Sequence, residues 1–230
     1  MSVYKEPIMI SGTSLPDSEV PLLLQSKCKN RYNCTKRDRM GAMKEYLAGY
    51  SKDWWEEAKR NRILVREYNT IDPTDLEGKY HILQELLGAV SRVTVIEPPF
   101  FCDNGKNIFL GHNFYANYNL VVLDAAKITI GDNVVVGPNV TIVAADHPIH
   151  PESRTNGESF PITCAPVEIG DDVWIGAGVT VLKGVKIGKG SVIGAHSLVT
   201  RDIPPMVVAA GTPCRVLRAI TEEDRFSWEG

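Results

Sequence analysis

A mainly β, parallel solenoid with a helical cap ahead of it and a short extension behind it is the fold class this sequence predicts, on three observations. From Val167 to Val199 every sixth residue is aliphatic in one phase: Ile169, Ile175, Val181, Ile187, Ile193 and Val199. A second row, Val167, Val173, Val179 and Val185, runs two residues ahead of the first, so each unit holds an apolar-x-apolar strand and then a turn. Glycine follows four members of the first row, at Gly170, Gly176, Gly188 and Gly194, where that turn would begin. A period of six is neither helical nor that of a flat strand. Three units close one triangular coil, and stacked coils bury a continuous core that no single repeat could bury alone.

Composition bounds the rest. At 230 residues, 43% apolar and 23% charged, the chain can build one ordinary core with an appendage. A net charge of −3 argues against a general nucleic-acid or membrane-surface binder, since both need a strongly positive face; small molecules are the expected partners. No stretch approaches the roughly 18 apolar residues of a membrane span. MSVYKEPIMISG is too broken by Lys5, Glu6 and Pro7 for a signal-peptide core, so a cytoplasmic location is expected. Cys28, Cys34, Cys102, Cys164 and Cys214 are odd in number, without C-x-x-C spacing, and are expected as free thiols.

In chain order, residues 1–35 mix Pro, Ser and single charges without periodicity and form an N-terminal arm. Residues 36–90 form a helical cap. Met40, Met43, Leu47, Tyr50, Trp54 and Ala58 recur every three or four residues, an apolar stripe on one helix or on a pair broken near Gly49. A second helix is expected from Asp72 as N-cap, with Pro73 in its first turn, and it stops at Gly88 after Leu83, Leu86 and Leu87. The solenoid occupies 91–205, entered at Pro98-Pro99, with earlier coils in Leu110, Ala116, Val122 and in Ile130, Val136, Ile142. Residues 206–230 lose the phase and form a C-terminal segment. The cap closes the open end of the core and walls one side of a site.

Between Ile142 and Val167 the repeat is interrupted by VAADHPIHPESRTNGESFPITCAP, residues 143–166, which hold His147, His150, Glu152, Arg154 and Glu158. A break this long inside a compact domain is usually functional. An imidazole titrating near neutral pH is suited to removing a hydroxyl proton, and His147 in Asp146-His147-Pro148 is the candidate.

The strings NIFLGHNFYANYNL, ITIGDNVVVGPNVTI and VEIGDDVWIGAGVTVLKGVKIGKGSVIGAHSLVT resemble the hexapeptide-repeat acyltransferases. DHPIHPESRTNGE, with NFYANYN upstream and VWIGAG downstream, is similar to the sugar O-acetyltransferases related to the maltose, galactoside and nodulation acetyltransferases. The resemblance implies a left-handed parallel β-helix, against the usual right-handed crossover. It also implies direct acetyl transfer from acetyl-CoA to a hydroxyl of a sugar, glycoside or similar alcohol, with His147 as base, Glu158 as its partner and Asn117 as an active-site amide. Asp124 is implied near the acceptor, with Ala125 where relatives often carry a second acid. Arg60 and Arg62 are nearest to the family's acceptor-contacting arginine, although Ala58 occupies its preferred register.

For the donor, the resemblance implies Trp174 and the amide of Ala177 beside the thioester. Thr200, Arg201, Arg215 and Arg218 lie at the coenzyme-binding end, and Lys183, Lys186 and Lys189 add cations to the same region. A homotrimer with sites between subunits and no metal follows from the same likeness. His112, His147, His150 and His196 do not match the three-histidine spacing of a metal enzyme on this fold. The alternatives are a relative acetylating a non-sugar acceptor, such as an antibiotic or secondary metabolite, and a non-catalytic scaffold.

Overall fold

Apolar residues at both ends of a three-residue strand and a polar or small one between them turn two side chains inward and one outward. Ile108–Leu110, Ile128–Ile130 and Val167–Ile169 follow this rule, with both ends buried and the middle residue half-exposed. The computed structural model describes residues 45–47, 52–155 and 160–226, with backbone alone for 45–47 and 52–55. The arm expected over 1–35, the stripe residues Met40, Met43 and Tyr50, the side chain of Trp54, and Glu158 lie outside the described residues.

Three parallel sheets form the solenoid. Face I stacks Ile108–Leu110, Ile128–Ile130, Val167–Ile169 and Lys186–Ile187. Face II stacks Val95–Ile96, Tyr115–Ala116, Val135–Val136, Trp174–Ile175, Val192–Ile193 and Val207–Ala210. Face III stacks Phe100–Cys102, Leu120–Leu123, Thr141–Val143, Thr180–Val181 and Leu198–Val199. The chain visits II, III and I in turn, and every first-row residue from Ile169 to Val199 is at most 3% exposed.

Coils below the interruption advance 20 residues per turn, with Phe100 opposite Leu120 and Ile108 opposite Ile128. Those above advance 18, with Glu168 opposite Lys186 and Thr180 opposite Leu198. The surplus lies at the corner between faces III and I, the same corner from which residues 143–166 emerge.

The second row continues past Val185 as buried Ser191 and Ser197. Their hydroxyls donate to the carbonyls of Pro204 (2.7 Å) and Gly194 (2.6 Å), and they accept the N–H groups of Val207 (3.4 Å) and Gly211 (3.0 Å). A hydroxyl replaces a methyl where the coils end and the crossing backbone needs partners. At the corners, Asn113, Asn119, Asn133, Asn139 and Asp172 take φ near +55 to +64°, a conformation that short polar side chains tolerate best after glycine. Their amides form ladders from coil to coil: Asn113 to Asn133 (3.1 Å), Asn133 to Asp172 (3.0 Å) and Asn119 to Asn139 (2.9 Å).

Helices α1 (Lys52–Thr70) and α2 (Leu76–Leu86) close the lower end. Leu47 departs from the expected helical stripe: Glu45–Leu47 is a strand, antiparallel to Pro161–Cys164. An available sheet edge outweighs helical spacing there. In α1 the buried face is Asn61, Leu64 and Tyr68, with Ala58 half-buried. The second helix begins later than expected. Asp72 accepts the N–H and hydroxyl of Thr74 (2.8 and 2.6 Å) in a tight turn, whereas Asp75 is the N-cap and accepts Gly78 N–H at 2.8 Å.

Tyr68 meets Phe100 edge-on, and its hydroxyl donates to the Ile96 carbonyl at 2.6 Å. Asn69 stands in for a missing strand below face III: its Nδ2 donates to Phe100 O (2.9 Å) and its Oδ1 accepts Phe100 N–H (2.8 Å). Asn69→Ala leaves both backbone groups unpaired, so stability in urea unfolding should fall by about 1–3 kcal/mol. An unchanged midpoint would show that water serves this sheet end equally well. At the upper end, Arg215–Ala219 folds back antiparallel on Val207–Ala210 and covers the last edge of face II. No described helix is long and apolar enough to cross a membrane.

Candidate active site

The interruption is built as a hairpin. Ala145–Asp146 pairs antiparallel with Pro161–Cys164, placing Asp146 opposite Thr163, and Glu45–Leu47 lies along the other side of Pro161–Cys164. At its outer end α3 (Pro151–Arg154) folds back, with the Arg154 guanidinium donating to the carbonyls of Pro148 (3.1 Å) and Ile149 (2.7 Å).

His147 follows the paired strand directly. Its Nδ1 lies 3.0 Å from the carbonyl oxygen of Pro161. A carbonyl can only accept, so Nδ1 carries a proton, and in the neutral ring the lone pair is then on Nε2, the tautomer a general base requires. Glu158, the partner implied by the sequence, lies outside the described residues. The Pro161 carbonyl was not anticipated, because a backbone group leaves no mark in the choice of side chain.

Lys183, expected among the donor-facing cations, instead turns to the hairpin. Its Nζ hydrogen-bonds the Thr163 hydroxyl, lies 3.4 Å from the Thr163 carbonyl and 3.7 Å from Asp146 Oδ2. Two other cations of that group have acidic partners: Lys186 with Glu168 (2.6 Å), and Lys189 with Asp172 (3.2 Å) and Asp171 (3.5 Å). Arg218 forms a two-pronged pair with Asp224 at 2.7 Å. Arg215 is exposed and donates to the Cys214 carbonyl at 2.8 Å. Thr200 and Arg201 are exposed at the III–I corner, Arg201 in register one coil above Lys183.

Asp124 occupies the same corner one coil below the hairpin and is fully buried. Its carboxylate accepts the N–H groups of Asn104 (2.9 Å), Asp103 (3.2 Å) and Asn107 (3.3 Å), and its carbonyl accepts Asn107 Nδ2 (2.8 Å). Burial pushes its pKa above the usual carboxylate range, against the pull of those N–H donors. Asp103, not anticipated, is pushed up to about 6 by desolvation first and the neighbouring Asp124 charge second, with Arg62 of α1 opposing. It lines the surface of this corner although its residue as a whole is exposed. The only advance signal was its place directly after a face III strand. Arg60 lies on the outer side of the cap, paired with Glu85 at 2.9 Å.

At the opposite edge of face III, Asn117 Oδ1 accepts the N–H of Tyr118 at 2.7 Å. The Ala177 carbonyl takes the N–H of His196 at 2.8 Å, while its own amide donates to no group among the described residues. Trp174 is exposed on face II, in register with Val135 and Val192. Four extended residues span roughly 13 Å, and Leu120–Leu123 separates the Asn117 edge from the Asp124 and His147 edge. One chain therefore brings His147, Lys183, Thr200 and Arg201 to one edge and leaves Asn117 and Ala177 on another.

Burial raises the pKa of the Cys102 thiol, with Asp124 and Asp103 adding to the effect, and burial also raises that of Cys214. Neither is poised as a thiolate nucleophile. No group of three or more His, Cys, Asp or Glu among the described residues is gathered as a metal ion would require.

Comparison with known proteins matches these features. The bacterial transferase hexapeptide (six repeats) family matches residues 166–201, and the maltose acetyltransferase hexapeptide capping motif matches residues 39–91. The galactoside O-acetyltransferase of Escherichia coli K12 is 48% identical over 172 residues, 74% of this chain and 82% of that protein. The maltose O-acetyltransferase structure from Clostridium difficile 630 is 42% identical with a TM-score of 0.74, covering 82% of this chain and 99% of that one. A galactoside acetyltransferase in complex with coenzyme A is 40% identical with a TM-score of 0.73, covering 86% of this chain and 97% of that one. With its solenoid, its capping helices and these relatives taken together, the chain belongs to the hexapeptide-repeat acetyltransferases of the maltose and galactoside O-acetyltransferase family.

Proposed function

We propose that this protein transfers an acetyl group from acetyl-CoA to a hydroxyl of a sugar, glycoside or similar small alcohol, with His147 as general base. The observation that carries the reading is the Nδ1 contact to the Pro161 carbonyl, which leaves Nε2 as the basic nitrogen. Nε2 takes the hydroxyl proton while the oxygen attacks the thioester carbon. The C–S bond then breaks, and the departing thiolate recovers the proton from the imidazolium. The carbonyl oxygen gains charge at the addition step, and the amide of Ala177, which donates to no group among the described residues, is suited to receive it. No enzyme nucleophile is needed.

Asn117 holds the acceptor hydroxyl. Trp174 flanks the donor, while Thr200, Arg201 and Arg215 supply its phosphate contacts, joined by Arg218, whose solvent-exposed pair with Asp224 can exchange for a phosphate. Asp124 and Arg60 belong to the acceptor end, Asp124 as the brace of its corner. Because His147 and Asn117 stand on different edges, a complete site needs the hairpin of one subunit beside the Asn117 edge of another. Support for that assembly comes from an apolar column along face II: Val95, Tyr115, Val135, Trp174, Val192 and Val208 lie in register, with Val95, Val135 and Trp174 exposed by 44, 43 and 55%. Such a column is what solenoid flanks bury against each other. We take the assembly to be a homotrimer and its location to be the cytoplasm, where acetyl-CoA is made available.

A non-sugar alcohol is the second reading, favoured because Asp124 and Arg60 already spend their charges on backbone N–H groups and on Glu85. Thiol release from acetyl-CoA, measured against sugars, glycosides and other alcohols, decides between them. Turnover with a glycoside is the expected result. Turnover with non-sugar alcohols alone selects the second reading, and none with any hydroxyl acceptor overturns both. Light scattering should give three chains per particle.

A further inference from the structure

We propose that Lys183 is a positioning residue for the base, acting through the hairpin and not through the donor phosphates; this rests on the reading of His147 as base. Lys183 leaves the III–I corner of the coil above the hairpin, two residues after the face III strand Thr180–Val181. Its side chain is only 23% exposed, against 63% for Lys189. Fixing a long lysine side chain costs rotamer entropy, so a half-buried one needs good partners.

Those partners are the two sides of one rung. Asp146 and Thr163 face each other across the hairpin, and the ammonium reaches the Asp146 carboxylate, the Thr163 hydroxyl and the Thr163 carbonyl. The ammonium thus hydrogen-bonds both oxygens of Thr163 and attracts the Asp146 carboxylate across 3.7 Å. Thr163 is itself buried. His147 is the residue after Asp146, and the carbonyl that orients it belongs to Pro161, two residues before Thr163.

Among the described residues, two residue pairs join Ala145–Asp146 to Pro161–Cys164, Ala165 N–H donates to the Ala144 carbonyl at 3.1 Å, and Glu45–Leu47 lies along the far side of Pro161–Cys164. Lys183 therefore fixes the spacing of the two segments that carry the imidazole and its orienting oxygen. An ammonium committed in this way is not free to serve a diphosphate.

Lys183→Met keeps the length of the side chain and removes the charge and the donors. The expected result is a fall in kcat of about 10- to 100-fold, the range that a misplacement near 1 Å produces. KM for acetyl-CoA should stay within about twofold, and Lys183→Arg, which can reach both rung partners, should restore most of kcat. A raised KM for acetyl-CoA with kcat intact would make Lys183 a donor-binding cation and overturn the proposal, as would unchanged kinetics. If Lys183→Met does not fold, Thr163→Val removes the hydroxyl partner and must show the same split between kcat and KM. His147→Ala is measured alongside. If it turns over like the unmodified chain, the base assignment has failed; if it is inactive while Lys183→Met is normal, only the positioning role has failed.

Discussion

His147→Ala is expected to lower acetyl transfer by about a hundred- to ten-thousand-fold, the span a positioned general base contributes. The fold should be untouched. His147 is exposed, and its one described hydrogen bond is to a carbonyl on the same hairpin. Surface changes of this kind usually stay within about 0.5 kcal/mol, so the melting temperature and the subunit count should match those of the unmodified chain. Because the imidazole acts on the proton and not on either substrate's bulk, the loss should fall on kcat with both KM values nearly constant. Steady-state thiol release with a saturating acceptor is the measurement. Turnover within about threefold of the unmodified chain would remove His147 from the chemistry and with it the mechanism derived from the Pro161 contact.

The solenoid was legible because its core is one-dimensional: each inward position recurs at a fixed spacing, so Ile169 predicts Ile175 without any knowledge of distant contacts. Legibility failed wherever a partner lay far along the chain. Leu47 fits a helical stripe by spacing, yet its backbone pairs with Pro161, more than a hundred residues away, and spacing carries no trace of that edge. Asp72 and Asp75 both satisfy the local rule for an N-cap, but Thr74 captures Asp72 through its N–H and its hydroxyl, which leaves the cap to Asp75. In the site, His147 stood out by its setting in a polar, proline-bounded interruption. The groups that hold it did not: one is a backbone carbonyl, and another is a lysine that sits in a row of lysines facing elsewhere. Asp124 was expected beside the acceptor, and nothing in its local sequence marked it as a brace, since the N–H groups it accepts come from a corner 17 to 21 residues earlier.

Asp124→Ala should be among the most damaging single changes in the solenoid, and its effect should be on stability before activity. The carboxylate is fully buried and receives three backbone N–H groups, two of them from the buried residues Asn104 and Asn107. Truncation leaves those donors facing a cavity, at about 1–3 kcal/mol for each buried donor left unsatisfied. A total near 3 kcal/mol or more follows, offset in part because an ionised carboxylate no longer has to be desolvated. Asp124→Asn keeps one acceptor oxygen for Asn104 and Asp103 but turns an NH2 toward Asn107 N–H, so its loss should be smaller and still measurable. The two variants also separate charge from geometry through pH. A carboxylate raised in the folded state gives stability that is fully present below its unfolded pKa and lost as pH rises through the folded value. Asparagine has no such titration. The unmodified chain should therefore lead Asp124→Asn by more in acid, at the ordinary carboxylate range and below, than at alkaline pH in urea unfolding. If Asp124 served only to touch the acceptor, both variants would unfold like the unmodified chain and differ from it only in acceptor KM, and that outcome would remove the brace from the structure's account of this corner.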